Sequence, residues 1–235
     1  MDEHISSAYD RDLEGITTLI IKMGGLVEDA ILNAAKSLSD RDVELAERVK
    51  KGDAAIDALE EQVNEEAART IALRAPVSKD LRSILTVLRL AASLERIGDY
   101  AKNIAKRTSV LVEMQSVNGS DAALRRMARE VEGMLKDTLD AYVRGDAELA
   151  EAVRQRDQEV DQMYNALFRE FLTFMMEDPR NITACMHLHF MAKNIERMGD
   201  LTTNMAEQVI YFVTGEMPDD NRPKSDKTAY VTDPS

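Results

Sequence analysis

The sequence predicts an all-α protein: two tandem, sequence-related three-helix bundles, six long helices in all. Three observations carry that prediction. The 235-residue chain has no Trp, five Pro and ten Gly, and is dominated by helix formers, a composition that favours helix over sheet. Apolar residues recur at three- and four-residue spacing along almost its whole length, the period of an amphipathic helix. The second half also restates the first. "DVELAERVKKGD" (42–53) aligns with "DAELAEAVRQRD" (146–157), "DAAID" (53–57) with "DQEVD" (157–161), and "ERIGDYAKNIA" (95–105) with "ERMGDLTTNMA" (196–206). Order-preserving similarity of this kind, with shared charges and a shared mid-helix glycine, points to a duplicated unit.

Breakers divide the periodic stretches into elements. A first helix over about 6–38 stops before "SDRD". Asp40 or Asp42 can cap a second, over about 42–73, which ends at "RAPVS". Ser78 can cap a third that runs to about 114, where "SVNGSD" breaks the chain. A fourth covers about 121–143, and Asp146 can start a fifth that ends near "MEDPRN". A sixth covers about 181–213. The segment after it is polar, holds three of the five prolines, and reads as a disordered tail. The expected units are therefore 1–117, 118–215 and a tail, 216–235.

Charge and composition exclude several classes. A formal net charge of −13 disfavours a non-specific grip on nucleic acid or anionic lipid. "MDEHISSAYDRD" lacks the basic and apolar run of a signal peptide, and no apolar stretch is long enough to span a bilayer. The single cysteine, Cys185, fits a reducing compartment. The expectation is a soluble cytoplasmic protein that binds no nucleic acid and does not insert into a membrane.

The chemistry-bearing pattern is acid-x-x-x-Asp. It occurs in the helical body as Asp53/Asp57, Glu95/Asp99, Asp157/Asp161 and Glu196/Asp200, with Asn103 and Asn204 extending the row by one turn. Residues four apart on a helix share a face. In two consecutive antiparallel helices, positions equidistant from the turn lie level. Asp53 with Asp99, and Asp57 with Glu95, are equidistant from Pro76. Asp157 with Asp200, and Asp161 with Glu196, are equidistant from the Asp178–Pro179 bond. Leu81, Leu85, Leu88 and Ala92 share a stripe with Glu95 and Asp99, and that stripe is expected to face another helix.

Four converging carboxylates repel one another, and burial penalises each charge. Raised pKa values with shared protons, interleaved cations such as Lys102, Lys106, Arg96 and Arg197, or bound metal ions would each relieve this. An all-oxygen site between helices suits iron, manganese, magnesium or zinc. Gly98 and Gly199, beside the acid pairs, suggest a close helix approach. A Cys185/His189 ligand pair is the weaker candidate; a packed histidine is the plainer reading. No histidine stands three residues after a glutamate in these helices, which counts against carboxylate-bridged redox catalysis. Phe168, Phe171 and Phe174, with several methionines nearby, read as core or interface rather than as a cofactor box. No Gly-rich phosphate loop and no nucleophile–base constellation is found.

With E-R-x-G-D-x-x-x-N on the last helix of each half and D-x-x-[IV]-D on the middle one, the chain resembles the PhoU family of phosphate-specific transport accessory proteins over about residues 8–215. The resemblance implies multinuclear iron or zinc clusters on Asp53, Asp57, Glu95, Asp99, Asp157, Asp161, Glu196 and Asp200. Lys193 in place of Ala92 is a departure on the second site's face. It further implies a cytoplasmic, dimeric negative regulator rather than an enzyme. Such a regulator links the phosphate ABC transporter, through its ATPase PstB, to the sensor histidine kinase PhoR. Two other readings of the same residues remain: a carboxylate-ligated metalloenzyme, and a metal-free helical scaffold.

Overall fold

The computed structural model describes residues 2–117 and 119–219. It contains six long helices: α1 (Asp2–Ser39), α2 (Val43–Arg74), α3 (Lys79–Leu111), α4 (Ser120–Arg144), α5 (Ala147–Glu177) and α6 (Ile182–Thr214). A single 3₁₀ turn, Pro179–Asn181, lies between α5 and α6. The expected elements are all present. α1 begins earlier than the apolar pattern suggested, and α3 ends at Leu111 instead of running to 114. The expected tail lies outside the described residues from 220 onward.

Equivalent local chemistry starts the middle helix of each half. Asp42 accepts a hydrogen bond from the Leu45 amide at 2.8 Å, and Asp146 accepts one from the Leu149 amide at 3.0 Å. Each carboxylate satisfies an orphan N–H of the first turn. Ser78 is different. It precedes α3 at φ 51° and makes no side-chain cap. The tight turn through Pro76 leaves its backbone carbonyl, rather than its hydroxyl, to bond Arg82.

Helices α1, α3, α6 and α4 form a closed ring of neighbours. α2 lies outside that ring on α1 and α3, and α5 lies outside it on α4 and α6. Among the described residues, neither outer helix touches the other half. Each half is thus a three-helix bundle, and the halves join through α1–α4 and α3–α6. The core runs through both. Ile16, Ile20, Met23 and Ile31 of α1 meet a buried set that includes Ile84, Leu90 and Leu94 of α3 and Leu124, Val131 and Met134 of α4. Two buried or part-buried hydroxyl pairs stitch it, Ser37–Thr108 at 3.1 Å and Thr17–Tyr142 at 3.2 Å.

One expectation about α3 is corrected. The buried face is Ile84, Val87, Leu90, Leu94 and Ile97, not the stripe through Leu81, Leu85 and Ala92. Leu85 is 43% exposed, Ala92 is exposed and Leu88 is half-buried. Two apolar rows run side by side on α3, and the row with β-branched and small residues wins the three-helix core. The acidic continuation Glu95–Asp99 therefore lies on the rim of the α2/α3 groove.

Two adjacent glycines on α1 test the bundle junction. A Cβ at Gly24 would collide with Leu139 of α4, whereas Gly25 has open space. Gly24→Val is expected to destabilise by about 1–3 kcal/mol through overpacking. Gly25→Ala is expected to stabilise by up to about 1 kcal/mol through helix propensity. Urea denaturation of the two variants measures both.

Candidate functional site

In the α2/α3 groove the predicted acids come together. Asp53 of α2 is only 4% exposed. The Lys102 ammonium of α3 donates to Asp53 Oδ2 and, at 3.2 Å, to Asp99 Oδ1. One lysine thus ties together the two carboxylates predicted to lie level across the turn. Its pKa is raised well above the ordinary lysine range, chiefly by the hydrogen bond to Asp53. Asp57 is exposed and Glu95 half-buried at the groove's rim. Both titrate above the ordinary carboxylate range. Partial desolvation is the first cause for each, followed by the Asp53 carboxylate for Asp57 and the Asp99 carboxylate for Glu95.

Glu60 belongs to the same cluster, because its charge raises both Asp57 and Glu95. Sequence reasoning missed it. The signal was available: Glu60 follows Asp57 by three residues, on the same face of α2.

The α5/α6 groove repeats the plan with different side chains. Asp157, Asp161 and Glu196 are 3%, 5% and 5% exposed, while Asp200 is half-buried. Thr203, which stands where the first half has Lys102, donates to Asp157 at 3.2 Å. Lys193, which stands where the first half has Ala92, donates to Glu196 at 2.7 Å and lies 4.9 Å over the Tyr164 ring. Tyr164 in turn occupies the position of Glu60. Each groove therefore receives one lysine, but from opposite ends, and the second groove is drier and has one acid fewer.

Gly98 and Gly199 make the two grooves alike at the backbone. A Cβ at Gly98 would stand 3.0 Å from Ile56 Cδ1 and 3.7 Å from Asp53 Oδ1. At Gly199 it would stand 3.3 Å from Val160 Cγ1 and 3.8 Å from Asp157 Oδ1. The missing side chain lets a buried carboxylate and a β-branched neighbour fit between the helices.

Of the four cations expected to offset these acids, only Lys102 does so. Lys106 bonds Asn103. Arg96 and Arg197 form no ion pair among the described residues, since each lies one residue, about 100°, from its motif glutamate and faces away from the groove. His189 is packed among the rings of Tyr164, Phe168 and Phe190, and burial, followed by the charge of Lys193, lowers its pKa. Burial also pushes the Cys185 thiol up, so this pair reads as core. Phe171 is buried and Phe174 packs on the core.

As metal donors the acid clusters fit in chemistry: oxygen-only, multiply anionic, and already holding a cation in the Lys102 ammonium. With the side chains as they stand, no group of three or more His, Cys, Asp or Glu is arranged around a metal position among the described residues. The Lys102 ammonium occupies the position between Asp53 and Asp99.

Comparison with known proteins places this architecture. The PhoU domain family matches residues 20–108 and again 124–209, one copy per bundle. The chain belongs to the PhoU family. It is 44% identical over 226 residues to a phosphate-specific transport system accessory protein PhoU homolog of Caulobacter vibrioides, covering 96% of this chain and 98% of that one. It is 45% identical to the homolog of Rhizobium meliloti over 96% and 95% of the two chains. The crystal structure of PhoU from Pseudomonas aeruginosa superposes with a TM-score of 0.86 at 38% identity, covering 88% of this chain and all of that one. The phosphate transport system regulatory protein PhoU from Streptococcus pneumoniae gives 0.83 at 30% identity, over 90% and 99%. Among the described residues, no helix is long and apolar enough to cross a membrane.

The raised pKa values carry a sign. The folded protein holds protons on Asp57 and Glu95 more tightly than the unfolded chain does, so their charges destabilise it at neutral pH, and stability is recovered as pH falls through the raised values. Glu95→Gln is therefore expected to stabilise metal-free protein at pH 7 by up to about 1 kcal/mol, screening included. The gain should vanish below about pH 4, where the carboxyl is protonated in both states. Thermal melts across pH measure this. Lys102→Met, which strands Asp53, is expected to cost roughly 1–3 kcal/mol.

Proposed function

We propose that this protein regulates phosphate uptake and represses the phosphate-starvation response when phosphate is plentiful. It acts as a binding protein on the cytoplasmic side, coupling the phosphate ABC transporter, through its ATPase PstB, to the sensor histidine kinase PhoR. The observation that carries this reading is near-full-length similarity to relatives named as phosphate-specific transport system accessory proteins. A regulatory rather than catalytic role agrees with those names. Long helices offering broad faces suit partner binding, and a homodimer is the assembly we propose.

The proposal includes metal ions, iron or zinc first and manganese or magnesium as alternatives. Asp53, Asp57, Glu95 and Asp99 would hold them in one groove, and Asp157, Asp161, Glu196 and Asp200 in the other. Bound cations would neutralise the clustered carboxylates and cross-link the outer helix of each bundle to the helix that joins the halves. Support comes from the duplicated acid sets and from the raised proton affinity of Asp57 and Glu95, caused first by partial desolvation and then by neighbouring carboxylates. A second reading, a metal-free scaffold, is favoured by one specific observation: Lys102 and Lys193 already supply cations to the two clusters.

Two measurements decide. A strain lacking the gene should express phosphate-starvation promoters in phosphate-rich medium; normal repression would overturn the regulatory reading. Elemental analysis of protein purified without chelator should find stoichiometric metal that is lost on Asp99→Ala with Asp200→Ala. Metal-free protein that takes up none of the four ions on titration would leave the scaffold reading in place.

A further inference from the structure

The seam between α3 and α6 carries charge of the wrong sign for this protein. Arg82, Arg89, Arg96 and Arg107 lie within about 40° of one line along α3, and Arg197 comes from α6 opposite them. In a chain with a net charge of −13, none of these five guanidiniums forms an ion pair with a carboxylate of the described residues. Four of them instead meet neutral groups across the seam. Arg82 lies 5.6 Å from the Tyr211 ring and Arg197 6.0 Å from the Tyr100 ring. Arg89 donates to Gln208 at 2.7 Å. Arg107 lies 4.5 Å over the Phe190 ring and bonds His187 Nδ1 at 3.1 Å. Arg96 has no such contact. The residue numbers run oppositely along the two helices, so the row follows an antiparallel groove.

The carboxylates that could have answered these charges are close in sequence but aimed elsewhere. Glu95 and Glu196 immediately precede Arg96 and Arg197, yet they turn into the α2/α3 and α5/α6 grooves. Within about 40° of the arginine line on each helix there is no Asp or Glu: that line holds Arg82, Arg89, Ser93, Arg96, Tyr100 and Arg107 on α3 and Met186, Phe190, Lys193, Arg197, Leu201 and Gln208 on α6, with Asp200 turned further round toward the α5/α6 groove. The one lysine in it, Lys193, is committed to Glu196. At the Arg107 end the basic row adjoins an apolar patch, with Met186 and Phe190 40% and 45% exposed.

We propose that the α3/α6 seam is a docking face for an acidic amphipathic helix of a partner protein. Three features select that occupant. Arg82, Arg89 and Arg96 recur every seven residues, about 10 Å apart along the axis, which matches carboxylates at heptad spacing on a helix laid in the groove. Met186 and Phe190 give such a helix an apolar anchor beside its acidic row. The row is narrow and is flanked on both sides by the acid clusters, so a single acidic helix fits between them while a broad anionic bilayer surface would be repelled. This chain's own segment after Asp219 is a poor occupant, because residues 220–235 carry equal numbers of acidic and basic side chains. The inference rests on the reading of the protein as a partner-binding regulator and adds the surface and the partner's chemistry.

The test uses the full chain and three probes. They are a three-heptad helical peptide with Glu at heptad spacing beside Leu, the same peptide with Lys for Glu, and vesicles of equal parts phosphatidylcholine and phosphatidylglycerol. The acidic peptide is expected to bind, weaken with added salt, and lose at least about tenfold in affinity to the variant Arg89→Glu, Arg96→Glu, Arg197→Glu. The Lys peptide is expected not to bind. Circular dichroism of that variant, and a parallel Arg→Gln set, separate lost binding from lost folding. Equal affinity of parent and variant, binding of both peptides alike, or no binding of the acidic peptide overturns the proposal. Preference for the vesicles overturns the helical occupant. Running parent and variant against the purified transport ATPase and kinase cytoplasmic domains separates the two readings. Partner binding that survives in the variant overturns the docking face and leaves the regulatory function standing. Partner binding absent from the parent overturns the function itself.

Discussion

A carboxylate buried between two helices has to be answered by a donor, and Asp53 and Asp157 impose that requirement at equivalent places in the two bundles. Desolvating an ionised acid is costly unless hydrogen bonds or a cation compensate. The helices around each aspartate are arranged accordingly. Glycine opposite it lets the backbones approach, a β-branched residue one turn on fills the remaining space, and a donor from α3 or α6 reaches the oxygen. The rim acids Asp57 and Glu95, partly desolvated and set beside other carboxylates, hold their protons more tightly than free carboxyls do.

The two halves solve this one problem with different side chains. In the first, an ammonium spans Asp53 and Asp99. In the second, a hydroxyl serves Asp157 and a lysine from the other end of the groove serves Glu196. The first groove is wetter and more crowded with charge, while the second is drier and floored by Tyr164. Duplication has kept the backbone geometry and let the electrostatics diverge, so the two grooves differ in charge and in hydration.

Placement of the grooves follows from the ring of α1, α3, α6 and α4. Because α2 and α5 pack only on their own halves, each acid groove flanks the α3/α6 seam. One face of the molecule therefore alternates in sign from acidic groove to arginine row to acidic groove. The consecutive Glu-Arg of the repeated motif is the local origin of this alternation: neighbours on a helix point about 100° apart, which sends one charge into the groove and the other onto the seam.

The fold class, the six helices, the duplication and the level pairing across each turn were legible in the sequence, because each depends on local periodicity, breakers and chain geometry. The acid sets were legible for the same reason. Rotation about the helix axis was not. Leu81, Leu85 and Ala92 match a helical stripe as well as Ile84, Val87 and Leu94 do, and only packing in the three-helix core decides between the rows. Glu60 and Thr203 join the site by proximity across helices, and Arg96 and Arg197 leave it by direction. By itself the sequence determined which elements form and which residues lie at one height, since those follow from rise per residue. Tertiary structure alone decided which cation meets which carboxylate, since that depends on how neighbouring helices turn against one another.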